Sequence, residues 1–246
     1  MQLLLGRRIM RIKTAFVLPL FLGTVGLIAC SPGDSTSDGG EDGAISMSSA
    51  VTYPECRIAP ATERYPERGT PEEVSGRSSP LLDVTVDYEN GVGRLCYGAP
   101  SARDREVMGG LVPFGSPWRA GANEPTTLHL TAPALLGTVP TGGPNIDAFM
   151  ALDPVFLEAG SYSLYAIPGE DEWEIFVNPN HERWGIPITD EVRSTEIGSF
   201  KVVPEATDEM VETMSYDYNP IVENTMGTFS MMWENTRVSF HLHPGG

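Results

Sequence analysis

Apolar residues recur in this chain with a period of two. Val84, Val86 and Tyr88 alternate with Asp83, Thr85 and Asp87; Thr126, Leu128 and Leu130 alternate with Thr127 and His129. Tyr162, Leu164 and Ala166 alternate with Ser163 and Tyr165, and Thr236, Val238, Phe240 and Leu242 with Arg237, Ser239, His241 and His243. Successive side chains on a strand point to opposite faces, so this pattern describes half-buried strands with one face inward. Glu172 to Asn178, Glu196 to Val203 and Thr225 to Trp233 read as further strands, the last with Phe229, Met231 and Trp233 on one face. The breaks carry turn chemistry, at Glu89-Asn90-Gly91, Ile167-Pro168-Gly169-Glu170 and Asn178-Pro179-Asn180. Only Thr207 to Met214 reads as a short helix, and Pro133 to Pro154, which lacks periodicity, reads as a surface insertion. Many short strands with Gly- and Pro-rich connections predict an all-β fold, an antiparallel β-sandwich of jelly-roll type, in one domain over 51–246.

Two different segments precede that domain. Arg7, Arg8, Arg11 and Lys13 form a basic region, followed by an uncharged apolar run from Ala15 to Ile28 that is too short to span a bilayer comfortably. It ends in Leu27-Ile28-Ala29-Cys30, which resembles the lipobox of bacterial lipoproteins. Residues 1–29 are therefore expected to be a signal peptide, starting at Met1 or Met10, with Cys30 the lipid-bearing first residue of the mature chain. Residues 30–50, rich in Ser, Gly and Asp, read as a disordered tether, since they hold too little apolar surface to offset ordering entropy. Ser31 after the lipidated cysteine suggests the outer membrane, where the organism has one.

Charge narrows the partners. The chain carries 16 Lys and Arg against 33 Asp and Glu, a net charge of −17. All four basic residues of 1–29 leave with the signal, so the mature form is near −21. Nucleic acid and anionic lipid surfaces are repelled by such a chain. The expected partners are the membrane, through lipid on Cys30, and a small molecule or glycan; no cofactor is expected, and oligomeric state stays open. With Cys30 lipidated, Cys56 and Cys96 remain as a pair in an oxidising compartment and are expected to form a disulfide that ties the irregular 51–80 segment to the sheet.

A resemblance joins these elements. Ser79-Pro80, Gly109-Gly110-Leu111-Val112-Pro113-Phe114-Gly115, Trp118-Arg119-Ala120-Gly121-Ala122-Asn123-Glu124-Pro125-Thr126, Glu158 to Leu164, Ile167-Pro168, Trp173 to Asn178, Trp184-Gly185 and Trp233-Glu234-Asn235-Thr236 follow one another in an order that resembles the bacterial family called domain of unknown function 2911. The resemblance runs from about Ser78 to Leu242, with W-R-x-G-A-N-E its most specific part. It implies a secreted or lipid-anchored, mostly β protein and carries no established activity. The family's Tyr-Ser-Arg-Pro stretch is here Tyr97-Gly98-Ala99-Pro100, and its Gly-Arg pair is Asp104-Arg105.

The Trp118–Thr126 run has two readings. In one, Trp118 plugs the core and Arg119 and Glu124 form a buried pair that fixes the loop. In the other, Trp118, Arg119, Asn123 and Glu124, with Arg105, form a ligand site in which the Arg119 fork takes a carboxylate, phosphate or pair of sugar hydroxyls. An envelope enzyme acting on a carbohydrate would use Arg119, Asn123 and Glu124, and a purely structural or assembly role is the remaining possibility. His241 and His243, at i and i+2 with His129 as a third ligand, have metal-binding spacing, although two solvated histidines near a chain end explain them as well. Glu170-Asp171-Glu172 reads as a solvated turn, and of the four tryptophans only Trp184 reads as exposed. No G-x-S-x-G, H-E-x-x-H, phosphate-cradling glycine loop or C-x-x-C is present.

Overall fold

The computed structural model describes residues 52–143, 145–222 and 225–246. The segments expected to be a signal peptide and a tether, with Cys30, lie outside the described residues. Among the described residues, ten strands form two antiparallel sheets. The first sheet contains β1 (Leu81–Tyr88), β2 (Gly91–Gly98), β3 (Thr126–Leu130), β6 (Gly160–Ile167), β7 (Trp173–Asn178) and β8 (Gly198–Val202), side by side in that order. The second contains β5 (Val155–Leu157), β4 (Ala134–Thr138), β10 (Met226–Pro244) and β9 (Glu205–Val222), again in that order. The chain is thus an all-β sandwich. Val86, Leu95, Leu128, Leu164 and Ile175 from the first sheet meet Leu136, Met214, Phe229, Val238 and Leu242 from the second in one buried core, as sheet-on-sheet packing of two inward faces requires.

The alternation places these side chains as expected. In β1, Val86 and Tyr88 are buried and Thr85 and Asp87 exposed. The turn to β2 is made at Asn90, whose φ of 65° is a left-handed conformation that Asn tolerates better than most residues. The structure departs from expectation in three elements. Thr207–Met214 is strand, not helix: it belongs to β9, which runs beside β10 with Val211 opposite Glu234 and Ala206 opposite Thr236. Pairing with a long partner strand outweighs a weak helical preference, and Thr207, Val211 and Thr213 are β-branched. The two strands expected over 225–242 are one, β10, kept continuous through irregular pairing between Met232 and Thr236.

The segment 133–154 is also more than a surface insertion. It contributes β4, paired with both β5 and β10, and a short helix, α2 (Ile146–Met150), capped by the Asn145 side chain on the Ala148 N–H. Phe149 of α2 is fully buried, its ring 4.2 Å from that of His243.

The first sheet is covered on its outer face as well. Cys56 and Cys96 are joined in a disulfide, which pins the segment after Thr52 across β2. On that outer face Tyr165 stacks on Phe176 at 5.3 Å, and Ser163 and Asn178 are buried. A third, irregular layer thus lies over a sheet that alternation alone describes as wet on one side. It ends in α1 (Pro71–Ser75), which Thr70 caps by accepting the Glu73 N–H.

Candidate functional site

Two loops at one end of the sandwich face each other across a cleft. The first, Trp118–Pro125, is held from below. Trp118 exchanges backbone hydrogen bonds with Ala166 of β6, both at 2.8 Å. Its half-buried indole stacks on Trp233, 6.2 Å between ring centroids, and meets the edge of Trp173 at 6.0 Å. The Ala120 carbonyl accepts hydrogen bonds from the Thr126 hydroxyl at 2.8 Å and the Tyr216 hydroxyl at 3.1 Å. The loop crosses β2 so closely that a Cβ on Gly98 would lie 2.0 Å from the Ala122 carbonyl oxygen. A Cβ on Gly185, in the Trp184-Gly185 pair, would lie 2.6 Å from the Asn123 oxygen and 2.5 Å from the Arg119 side chain. Both glycines are close-approach positions that admit no side chain.

The second loop, Pro100–Val112, is anchored by the buried Ala102, Val107 and Val112. The Glu212 carbonyl accepts the Ala102 N–H and its carboxylate the Arg103 N–H. Glu234 accepts the N–H groups of Val107 and Met108, both at 3.3 Å. So the Trp-Glu pair of β10 serves both loops: Trp233 supports one and Glu234 the other. Arg103 and Asp104 have left-handed φ values of 53° and 56°, as do Ala120 (54°) and Asn123 (64°) across the cleft. Non-glycine residues in this region gather where surrounding structure holds them, often at sites of function.

The cleft encloses about 300 Å³ and is lined by Arg103, Arg105, Arg119, Asn123, Ser78, Ser79, Ser101, Trp118, Trp233 and Leu111, among others. Four of the five residues expected to bind ligand, Trp118, Arg119, Asn123 and Arg105, therefore share one space. Arg119 donates from Nε to the Gly121 carbonyl at 3.2 Å. Arg105 donates to the carbonyls of Ala102 and Ser101, both at 2.9 Å, and Arg103 to that of Ser78 at 3.3 Å. Among the described residues none of the three forms an ion pair, and no described residue contributes a carboxylate to the cleft lining. Burial pushes the Arg119 guanidinium down from its ordinary range, opposed by the charge of Glu124.

Glu124 lies elsewhere, so the expected Arg119–Glu124 pair does not form. Its carboxylate is buried on the opposite side of the loop, where it accepts the Ala59 N–H at 3.1 Å and Arg77 Nη1 at 2.8 Å. Arg77 also donates from Nε and Nη2 to Glu73 at 2.7 and 2.8 Å. The three charges tie the irregular layer to the cleft loop from behind. Arg77 and Arg103 were not legible as site residues. The i,i+4 spacing of Glu73 and Arg77 was a usable signal for the former, and nothing local marked the latter.

The histidine grouping is also corrected. His241 and His243 are buried, not solvated: His241 lies 2.8 Å from the Thr228 hydroxyl, and His243 lies under Phe149. His129 is in the other sheet, beside Ser161 and His181. Among the described residues no three metal-ligating side chains converge. Trp184 is half-buried, with the Arg68 guanidinium 3.8 Å above its ring. The acidic turn is exposed as expected, with Glu172 paired to Lys201.

Fold and site together define an antiparallel β-sandwich with an arginine-lined cleft between two end loops. The chain belongs to the family described as Protein of unknown function (DUF2911), matched over residues 79–142 and 146–242. No curated protein and no solved structure matches it. The cleft residues from Ser79 to Trp233 fall within the matched segments, whereas Arg77 precedes them.

Proposed function

We propose that this chain is a lipid-anchored binding module of the cell envelope, whose cleft takes a small molecule bearing a carboxylate, phosphate or acidic sugar. The supporting observation is the concentration of three arginines without a carboxylate partner in one cleft of a chain with net charge −17. Clustered arginines raise the local positive potential that attracts an anion, and their planar forks match two-oxygen anions. Trp118, Trp233 and Leu111 supply the apolar wall that holds the rest of such a ligand. Acid–base chemistry on a glycosidic bond needs carboxylates at the bond. Among the described residues the cleft lining has none, and Glu124 is engaged by Arg77, so the lining supports binding better than acid–base cleavage of a glycosidic bond.

The test uses the full chain carrying Cys30→Ser, screened by thermal shift against organic acids, phosphate esters and acidic sugars, since a ligand of the native state raises its apparent stability. Arg119→Met in that background should weaken the best ligand at least tenfold, the loss of one charge-assisted hydrogen bond being about 1.5–3 kcal/mol. Stabilisation by no anion, or an unchanged response in Arg119→Met, would reject the cleft as the site.

Anchoring follows the Leu27-Ile28-Ala29-Cys30 sequence. Among the described residues no helix is long and apolar enough to cross a membrane. Cys30→Ser should move the protein from the membrane fraction to the soluble fraction, because the tether offers no apolar hold. Equal membrane recovery of the variant and the natural chain would remove the lipoprotein reading.

A further inference from the structure

The cations of the cleft stand on both of its walls. Arg119, half-buried, belongs to the Trp118–Pro125 loop, and Arg103 and Arg105, both exposed, belong to the facing loop. Backbone carbonyls hold all three: Gly121 accepts from Arg119, Ser78 from Arg103, and Ala102 and Ser101 from Arg105. A carbonyl orients a guanidinium without cancelling its charge, and a guanidinium has five donors to share. Glu212, whose carboxylate reaches this loop, accepts the backbone N–H of Arg103, and Asp104, between the two arginines, is not part of the cleft lining. The left-handed backbone at Arg103 and Asp104 on one wall, and at Ala120 and Asn123 on the other, persists only where surrounding structure over-determines it. The cations are therefore presented by two fixed loops.

A compact space of about 300 Å³ is roughly 8 Å across, close to one Debye length at physiological ionic strength. A ligand inside it meets the three positive charges together. A singly charged acid offsets one of them and leaves two like charges in the same cleft, whereas a dianion offsets two. Burial lowers the Arg119 guanidinium, so an opposing charge gains more beside it than in open water. A phosphate monoester concentrates about −1.5 to −2 of charge and three strong acceptor oxygens on one group at pH 7. That suits so small a space better than a dicarboxylate with its charges at opposite ends. The rest of the lining fits a hydroxylated ring: Ser78, Ser79 and Asn123 offer hydroxyl and amide groups, and Trp118 offers an indole. Given the cleft as the anion site, we propose that its ligand is a soluble, sugar-sized phosphate monoester bound as the dianion.

The experiment is calorimetric titration of the full chain carrying Cys30→Ser with glucose, glucuronate, glucarate and glucose 6-phosphate. On one carbon skeleton these carry no charge, one charge, two charges at opposite ends, and two on a single group. At pH 7.5 glucose 6-phosphate should bind about tenfold or more tighter than glucuronate or glucarate, the effect of one further charge-assisted interaction, and glucose should give no measurable heat. The second ionisation of a phosphate monoester lies near pH 6, so lowering the pH to 5.5 should weaken glucose 6-phosphate about fourfold and leave glucuronate unchanged. Among the described residues no histidine or carboxylate lines the cleft to imitate that trend. Arg103→Met, at an exposed position, should narrow the preference for glucose 6-phosphate over glucuronate. Phosphatidylcholine vesicles containing phosphatidic acid should not displace glucose 6-phosphate, because a chain of net charge −17 is repelled by an anionic surface; displacement would overturn the soluble source in favour of a lipid headgroup. Equal affinities for glucuronate and glucose 6-phosphate, tighter binding of glucarate, or a preference unchanged in Arg103→Met would each overturn the phosphate dianion and leave the cleft an anion site. No response to any of the three anions would overturn both.

Discussion

Arg77→Met should destabilise the protein by about 3–5 kcal/mol in urea unfolding, the usual effect of removing one partner from a buried ion pair. The side chains of Arg77 and Glu124 are only 4% and 5% exposed. Methionine preserves much of the stem's packing, leaving Glu124 with the Ala59 N–H as its remaining hydrogen-bond donor. The bonds from Arg77 hold the Glu73 carboxyl below the usual carboxylate range, and the variant should release it upward. Adding Glu124→Gln should recover part of the loss, because an amide is far less costly to bury unpaired than a carboxylate. Arg119→Met should change stability by about 1 kcal/mol or less, since that guanidinium makes no ion pair and removing it strands no buried charge. Equal losses in the two variants would show that the loop is fixed from the cleft side and that the assignment of Glu124 to Arg77 is mistaken.

Acid should weaken the fold before most carboxylates titrate. Burial, with a further contribution from His241, holds His243 at about 4, against 6.5 for a free imidazole. Burial lowers His241 as well. A depressed histidine is neutral in the folded chain while the unfolded chain takes up the proton. The unfolded state therefore binds more protons between about pH 6.5 and pH 4, and stability rises with pH across that window. Stability from His243 is complete above pH 6.5 and is lost as pH falls towards 4. The difference is worth about 3 kcal/mol at 1.36 kcal/mol per pKa unit. Unfolding free energies measured at pH 7 and pH 4.5 should therefore differ by a few kcal/mol. His243→Gln should flatten the slope, because glutamine does not titrate. A slope unchanged in that variant would assign the acid sensitivity to other groups. Phe149 packs on this ring, so α2 is the element expected to loosen first, visible as early amide exchange around Ile146–Met150.

Much of the architecture was legible in the chain because a strand writes its two faces directly into residue order. Val84 to Tyr88, Thr126 to Leu130 and Thr236 to Leu242 show which side chains enter the core. The cysteine pair followed from counting, and the Trp118–Asn123 loop, with its glycine and its cluster of polar groups, marked one wall of the cleft. What failed had a common cause. Alternation identifies a residue's face and says nothing of what covers that face. His129, His241 and His243 occupy positions that a simple two-layer sandwich would leave wet, and they are buried because the segment after Thr52 covers one outer face and α2 covers part of another. β4 escaped notice because the short, nearly uniform run Ala134–Thr138 has no alternating signature. The partner of Glu124 was equally hidden. Two charges five residues apart on one loop suggested a pair, yet the backbone turns left-handed at Ala120 and Asn123, and Arg119 and Glu124 come to serve opposite sides. Arg77 and Arg103 reach their places through contacts between segments distant in the chain. The sequence by itself determined the strands, their inward faces, the covalent pairing of Cys56 with Cys96 and one wall of the cleft, because these depend on local periodicity and composition. Tertiary structure alone decided the second wall, the choice of Arg77 over Arg119 as partner to Glu124, and the burial of the histidines, because each depends on which distant segment packs against a given face.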